Sequence, residues 1–167
     1  KTYNGESQTG VTGSYVSWAN STTGIDAGSY TAIATPDENH AWSDGTTAAK
    51  SITWTMSAKE VAVTWGTTTT FIYNGVAQGP AASAESGVTG ETINITRTTG
   101  TNAGSYTSTA SISSVTGGRA KAGNYKLTEN TKAFIINRAT TATAAVADKT
   151  YNGESQTGVT GNYVSWG

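Results

Sequence analysis

The sequence predicts an all-β protein built from small sandwiches in tandem. Three observations carry this. Apolar residues recur with a period of two in short runs, the signature of strands half-buried in a sheet. Thr, Ser, Gly and Ala dominate the 167 residues while Leu occurs once, at Leu127, so the composition favours strands and turns over helices. Finally, Tyr-Asn-Gly occurs three times, at Tyr3, Tyr73 and Tyr151, with intervals of 70 and 78 residues.

The elements follow in chain order. Tyr3-Asn4-Gly5 reads as a tight turn, because Asn and Gly tolerate positive φ. The Tyr ring is expected to anchor that turn in the core while its hydroxyl finds a partner. Tyr73-Asn74-Gly75 and Tyr151-Asn152-Gly153 read the same way. Ala-Gly-Ser-Tyr-Thr, starting at Ala27 and again at Ala103, reads as a turn entering a core strand. Tyr30 and Tyr106 there resemble the tyrosine that pins a corner of an immunoglobulin-type sandwich. In the strand that follows, Ile52, Trp54 and Met56 share a face; next, Val61, Val63 and Trp65 do. Ile93 and Ile95 pair on one face of a later strand, and Tyr106, Ala110 and Ile112 on another. Trp18 and its equivalent Trp166 are expected in the core or at its edge. Turn-rich stretches separate the runs, and no stretch keeps a helical period over three turns.

Closing strands followed by a short linker with a basic residue, "KSITWTMSAK" and "TKAFIINRAT", end the units. The expected division is a first unit over 1–57 lacking its first strand, a second over 58–137, and the truncated beginning of a third over 138–167. Residues 1–18 and 149–166 are the same except for Ser14 against Asn162, so the chain reads as a window cut from a longer array with a two-unit period of 148 residues. With about six or seven strands per unit, the unit is most like an Ig-type sandwich; a β-grasp-like unit is the alternative.

These markers together resemble the MBG or YDG-type Ig-like tandem repeats of bacterial adhesins and cell-surface proteins. The resemblance rests on "YNGESQTGVTG", "IDAGSYTAIATP", "AWSDGTTAAKSITWTM" and "SAK" in the first unit, and on "YNGVAQGP", "TNAGSYTSTASI" and "GNYKLTENTKAFIINRA" in the second, which lacks Trp-x-Asp-Gly-Thr. It implies a non-enzymatic structural stalk or spacer, extracellular on a bacterial surface. Its partners would be neighbouring repeats, with a host glycan or protein met through another domain. Similar modules also decorate phage tails.

Composition narrows the function further. The formal net charge is −1 and the basic residues are scattered, which argues against nucleic acid. No apolar run reaches membrane-spanning length. Cysteine is absent, so thiol nucleophiles and zinc–thiolate sites are excluded. The one histidine, His40, belongs to one unit only, and no nucleophile, zinc-protease or phosphate-loop motif occurs, so no enzyme and no cofactor is expected. Asp37, Glu38 and Asp44 match no calcium-loop spacing. The one candidate ligand site is Trp42 with His40 and Asp44, where an exposed indole beside polar groups would stack on a sugar; the competing reading has Trp42 packed over a sheet end. A last expectation concerns the ends: the strand within 138–148 of one copy docks on unit one of another, in head-to-tail strand exchange.

Overall fold

The computed structural model describes residues 1–119, 121–140 and 142–162; Trp166 lies outside them. The chain is all-β, arranged in several sheets, and among the described residues its only helical element is a short 3-10 turn at Ala122–Asn124.

In the first unit, β1 (Gln8–Thr9) pairs with β3 (Thr23–Gly24), and β2 (Val16–Asn20), β4 (Gly28–Pro36) and β5 (Lys50–Met56) form a three-stranded antiparallel sheet in the order β2-β4-β5. Its inner face carries Ala32, Ala34, Trp54 and Met56. Ile52 shares the parity of Trp54 and Met56 and lies opposite buried Ala32, yet on the outer strand β5 it is exposed. Five strands form here, fewer than the six or seven expected.

The second unit has eight: β6 (Lys59–Ala62), β7 (Thr64–Trp65), β8 (Thr70–Ile72), β9 (Ala82–Ser83), β10 (Thr92–Arg97), β11 (Gly104–Thr116), β12 (Tyr125–Thr128) and β13 (Thr131–Asn137). The main sheet runs β10-β11-β13-β8, with β13 and β8 parallel; β12 pairs parallel with β6, and β7 pairs with β9. Val61 and Val63 are buried as their alternation demands, whereas Trp65 is half-buried and donates its indole N–H to the Glu129 carbonyl at 2.8 Å. The register of β10 against β11 shifts between Asn94 and Ile95, skipping Ser113. Such a bulge changes which side chains face inward, so Ile112 and Val115, of opposite parity, both pack on the core.

The two units fold equivalent residues alike. Tyr30 stacks on Trp54 (centroids 4.5 Å, planes at 14°) as Tyr106 stacks on Phe134 (5.3 Å, 19°). Each tyrosine donates its hydroxyl to a carbonyl four residues back, Asp26 at 2.7 Å and Asn102 at 2.8 Å. One apolar cluster then draws on both units, with Tyr3, Ala32, Trp54 and Met56 from the first and Ala84, Ile93 and Tyr125 from the second. Beyond β13, β14 (Thr143–Val146) and β15 (Val159–Asn162) form an antiparallel pair.

Candidate functional site: the joint between the units

The Tyr-Asn-Gly turn has one local construction at all three places. Gly5, Gly75 and Gly153 sit at φ +85°, +82° and +84°, a region that side chains resist. The Asn carboxamide oxygen accepts the N–H two residues on, at 3.0, 3.1 and 3.0 Å. A Gln four residues after the Asn closes the loop. Gln8, Gln78 and Gln156 each donate to that Asn oxygen and to the carbonyl two residues before the Asn. The turn is therefore built by local bonds and forms wherever the motif stands.

What surrounds the turn differs. Tyr3 is 1% exposed, but Tyr73 is 41% and Tyr151 90% exposed, so the expected burial of the ring holds only at Tyr3. The reason is tertiary: unit two sits on the Tyr3 turn. Val88 approaches so closely that a Cβ on Gly5 would lie 2.6 Å from its Cγ1, whereas a Cβ on Gly75 or Gly153 would meet open space.

At the centre of this joint is Glu91, 8% exposed. Its two carboxylate oxygens accept the Tyr3 hydroxyl at 2.6 Å and the Tyr125 hydroxyl at 2.7 Å, and the Arg119 N–H adds a weaker 3.3 Å bond. The two tyrosine rings meet edge to face at 5.4 Å. Burial pushes the Glu91 carboxyl up, but the two hydroxyls and the Arg119 N–H outweigh it and hold the group below its ordinary range. Burial, and then the neighbouring carboxylate, push the Tyr3 phenol up to about 12 and the Tyr125 phenol higher still. Glu91 is thus a buried anion with both oxygens satisfied by neutral donors from both units.

A second set of bonds lies beside it. Asn124 accepts the Ala27 N–H at 2.8 Å and donates to Asp26 at 3.0 Å. Lys121 pairs with the other Asp26 oxygen, and Lys121 and Asn124 hold the Asp26 carboxyl below its ordinary range. The linker itself is tied down. Ser57 exchanges backbone bonds with Lys1 and Tyr3, and Lys59 donates to the Gly87 carbonyl at 2.8 Å. Only two residues separate β5 from β6.

The corresponding end of unit two is open. Tyr73, Asn74, Gly75, Ala103, Arg138 and Ala139 line a hollow of about 660 Å³, and Ile72 and Val76 beside it are exposed.

Of the residues expected to bind a ligand, Trp42 and Asp44 meet through Lys50, and His40 lies apart with Asp37 and Tyr15. His40 stacks on Tyr15 (4.0 Å, 18°) and bonds Asp37 at 2.6 Å, which holds the Asp37 carboxyl low. Trp42 donates its indole N–H to the Ala48 carbonyl at 2.7 Å, and the Lys50 ammonium lies over its ring, 5.1 Å from the centroid. Asp44 is bonded to Lys50 at 2.7 Å and to Thr46, so its carboxyl is held well below the usual range. Lys50 thus occupies one face of the Trp42 ring. Among the described residues, no group of three or more His, Cys, Asp or Glu side chains is placed to hold a metal, and no helix is long and apolar enough to cross a membrane.

Sequence reasoning passed over Glu91, Asn124 and Tyr125. A signal for the first exists: Gly-Val-Thr-Gly recurs at 10–13, 87–90 and 158–161, followed by Ser14, Glu91 and Asn162. The one position at which the near-identical ends differ is thus the counterpart of the joint's carboxylate. No family model, no curated protein and no solved structure matches the chain.

Proposed function

We propose that this chain is part of a stalk: Ig-like repeats in tandem, non-enzymatic, extracellular on a bacterial surface, holding a distal binding region away from the cell. One observation carries the reading. Units one and two are joined without slack, through a buried carboxylate bonded from both sides and a two-residue linker that is itself hydrogen-bonded. A joint of that kind transmits force and orientation, which a spacer requires and a catalyst does not. The partners on this reading are the neighbouring repeats. A phage-tail decoration would use the same joint, and nothing favours it over the stalk. A carbohydrate-binding role has weaker footing, because the Trp42 ring and its N–H are already engaged. Single-molecule stretching of the chain by its ends tests the proposal. A stalk shows no soft extension between units one and two before the first unfolding event; a compliant extension at low force would sink it.

A further inference from the structure

We infer that Asn74 is a site of self-modification: its side chain closes a succinimide with Gly75 and loses ammonia, and water opens the ring to aspartate or isoaspartate. Three groups meet at this turn. The electrophile is the Asn74 carboxamide carbon, whose oxygen accepts the Val76 N–H at 3.1 Å and a Gln78 side-chain N–H at 2.6 Å. Both amides are oriented by groups that cannot reverse roles. A main-chain N–H only donates, so the Asn74 oxygen faces Val76; the Ile72 carbonyl only accepts, so the Gln78 nitrogen faces it, at 3.0 Å. The nucleophile is the Gly75 nitrogen, next in the chain, and the leaving group is the Asn74 amide nitrogen. Among the described residues, neither of these nitrogens donates a hydrogen bond.

The step needs only water as co-reactant. The Gly75 nitrogen gives its proton to solvent, and its electron pair forms a bond to the Asn74 carboxamide carbon. The carbonyl electrons move onto the oxygen, where the Val76 and Gln78 donors already point. Donors aimed at a developing negative charge lower the barrier without reorganising. When the carbonyl re-forms, the bond to the amide nitrogen breaks and ammonia leaves, taking a proton back from solvent. Water then adds at either carbonyl of the ring. The sum is asparagine plus water giving aspartate or isoaspartate plus ammonia, with nothing oxidised or reduced. Nothing hinders the ring closure, since even a Cβ on Gly75 would meet open space.

Asn4 has the same local bonds, from the Glu6 N–H and from Gln8, each at 3.0 Å, but its glycine is hemmed in. Val88 of unit two lies against Gly5, and closing the ring swings the glycine nitrogen towards the side chain. The joint therefore shields Asn4, while the open turn of unit two reacts. The product alters that open face. Asn74 and Arg138 line the same hollow, so the new carboxylate stands in a space that a cationic residue borders. The isoaspartyl form also lengthens the main chain of the turn by a methylene. The inference does not depend on the tandem reading and can fail while the stalk stands.

Full-length protein held at mildly alkaline pH and mapped by peptide mass spectrometry reads both sites in one sample, because each event replaces an amide –NH2 by –OH. Asn74 should convert several-fold faster than Asn4. Gln78→Met keeps the side chain's length but removes the donor; it should slow Asn74 several-fold and leave the Asn4 rate unchanged, which also shows that the joint stands. Unfolding the unaltered chain in guanidinium chloride dissolves both turns and the joint. The two rates should then converge, Asn74 slowing and Asn4 quickening. Asn4 reacting as fast as Asn74 in the folded protein would overturn the inference. So would an Asn74 that keeps its rate or quickens in Gln78→Met or on unfolding, because the turn would then guard the amide rather than activate it.

Discussion

Glu91 is the least replaceable side chain of the joint. Removing it leaves two buried hydroxyls, Tyr3 and Tyr125, with no acceptor, and each unsatisfied buried group costs about 1–3 kcal/mol. Glu91→Ala should therefore lose about 2–4 kcal/mol in denaturant unfolding, and Tyr3→Phe clearly less, because it removes a donor from an oxygen that keeps the Arg119 N–H. A cost below 0.5 kcal/mol for Glu91→Ala would mean that the clasp contributes little. The glycines give a paired comparison. Gly5 and Gly75 have the same positive φ, so alanine costs about 1 kcal/mol of backbone strain at either. Only at Gly5 does the new Cβ meet Val88. Gly5→Ala should lower the melting temperature by several degrees more than Gly75→Ala, and equal losses would place the two turns in equivalent surroundings.

At the scale of elements, the 3-10 turn Ala122–Asn124 works as a latch on the loop before β4. Asn124→Ala should raise the hydrogen-exchange rate of the Ala27 amide, which Asn124 now protects, while leaving the Ala103 amide of unit two unchanged. If Ala27 exchanged no faster, the latch would be incidental. Much at this scale was legible in the sequence. Alternation placed Trp54, Met56, Val61, Val63 and Ile93 on buried faces, and the recurring Tyr-Asn-Gly and Ala-Gly-Ser-Tyr-Thr marked turns that the two units build alike. What escaped has physical causes. A period of two assigns a face but not burial at every position along it, as exposed Ile52 opposite buried Ala32 shows. A bulge changes parity within one strand, so Val115 joins the core unannounced. Most tellingly, Tyr3 and Tyr73 sit in the same local motif, yet one is buried and the other open. Burial there is decided by residues about 90 positions away, and the repeat that marks the Glu91 position does not say that a polar Glu there is buried. His40, Trp42 and Asp44 are neighbours in the sequence, but only Trp42 and Asp44 share a partner, Lys50, while His40 turns to Asp37 and Tyr15.

For the molecule as a whole, the joint contributes to both limits of the pH range. The Glu91 and Asp26 carboxyls are held low in the folded protein, so their contribution is complete above the unfolded carboxyl range, near pH 4–4.5, and fades as pH falls through their folded values. Tyr3 and Tyr125 are held high, so their contribution is complete below pH 10 and is lost as pH rises towards 12 and beyond. The melting temperature should therefore be level from about pH 5 to 9 and fall on both sides; in Glu91→Gln the alkaline fall should be smaller, because the folded phenols, no longer opposed by a buried carboxylate, ionise closer to their unfolded range. The central claim is that the joint is stiff and that Glu91 makes it so. It is tested most directly by the distance distribution between spin labels on introduced cysteines, one at exposed Ser51 of unit one and one at exposed Lys132 of unit two. The account predicts a single narrow distribution that broadens on Glu91→Ala; a distribution already broad in the unaltered joint would contradict it.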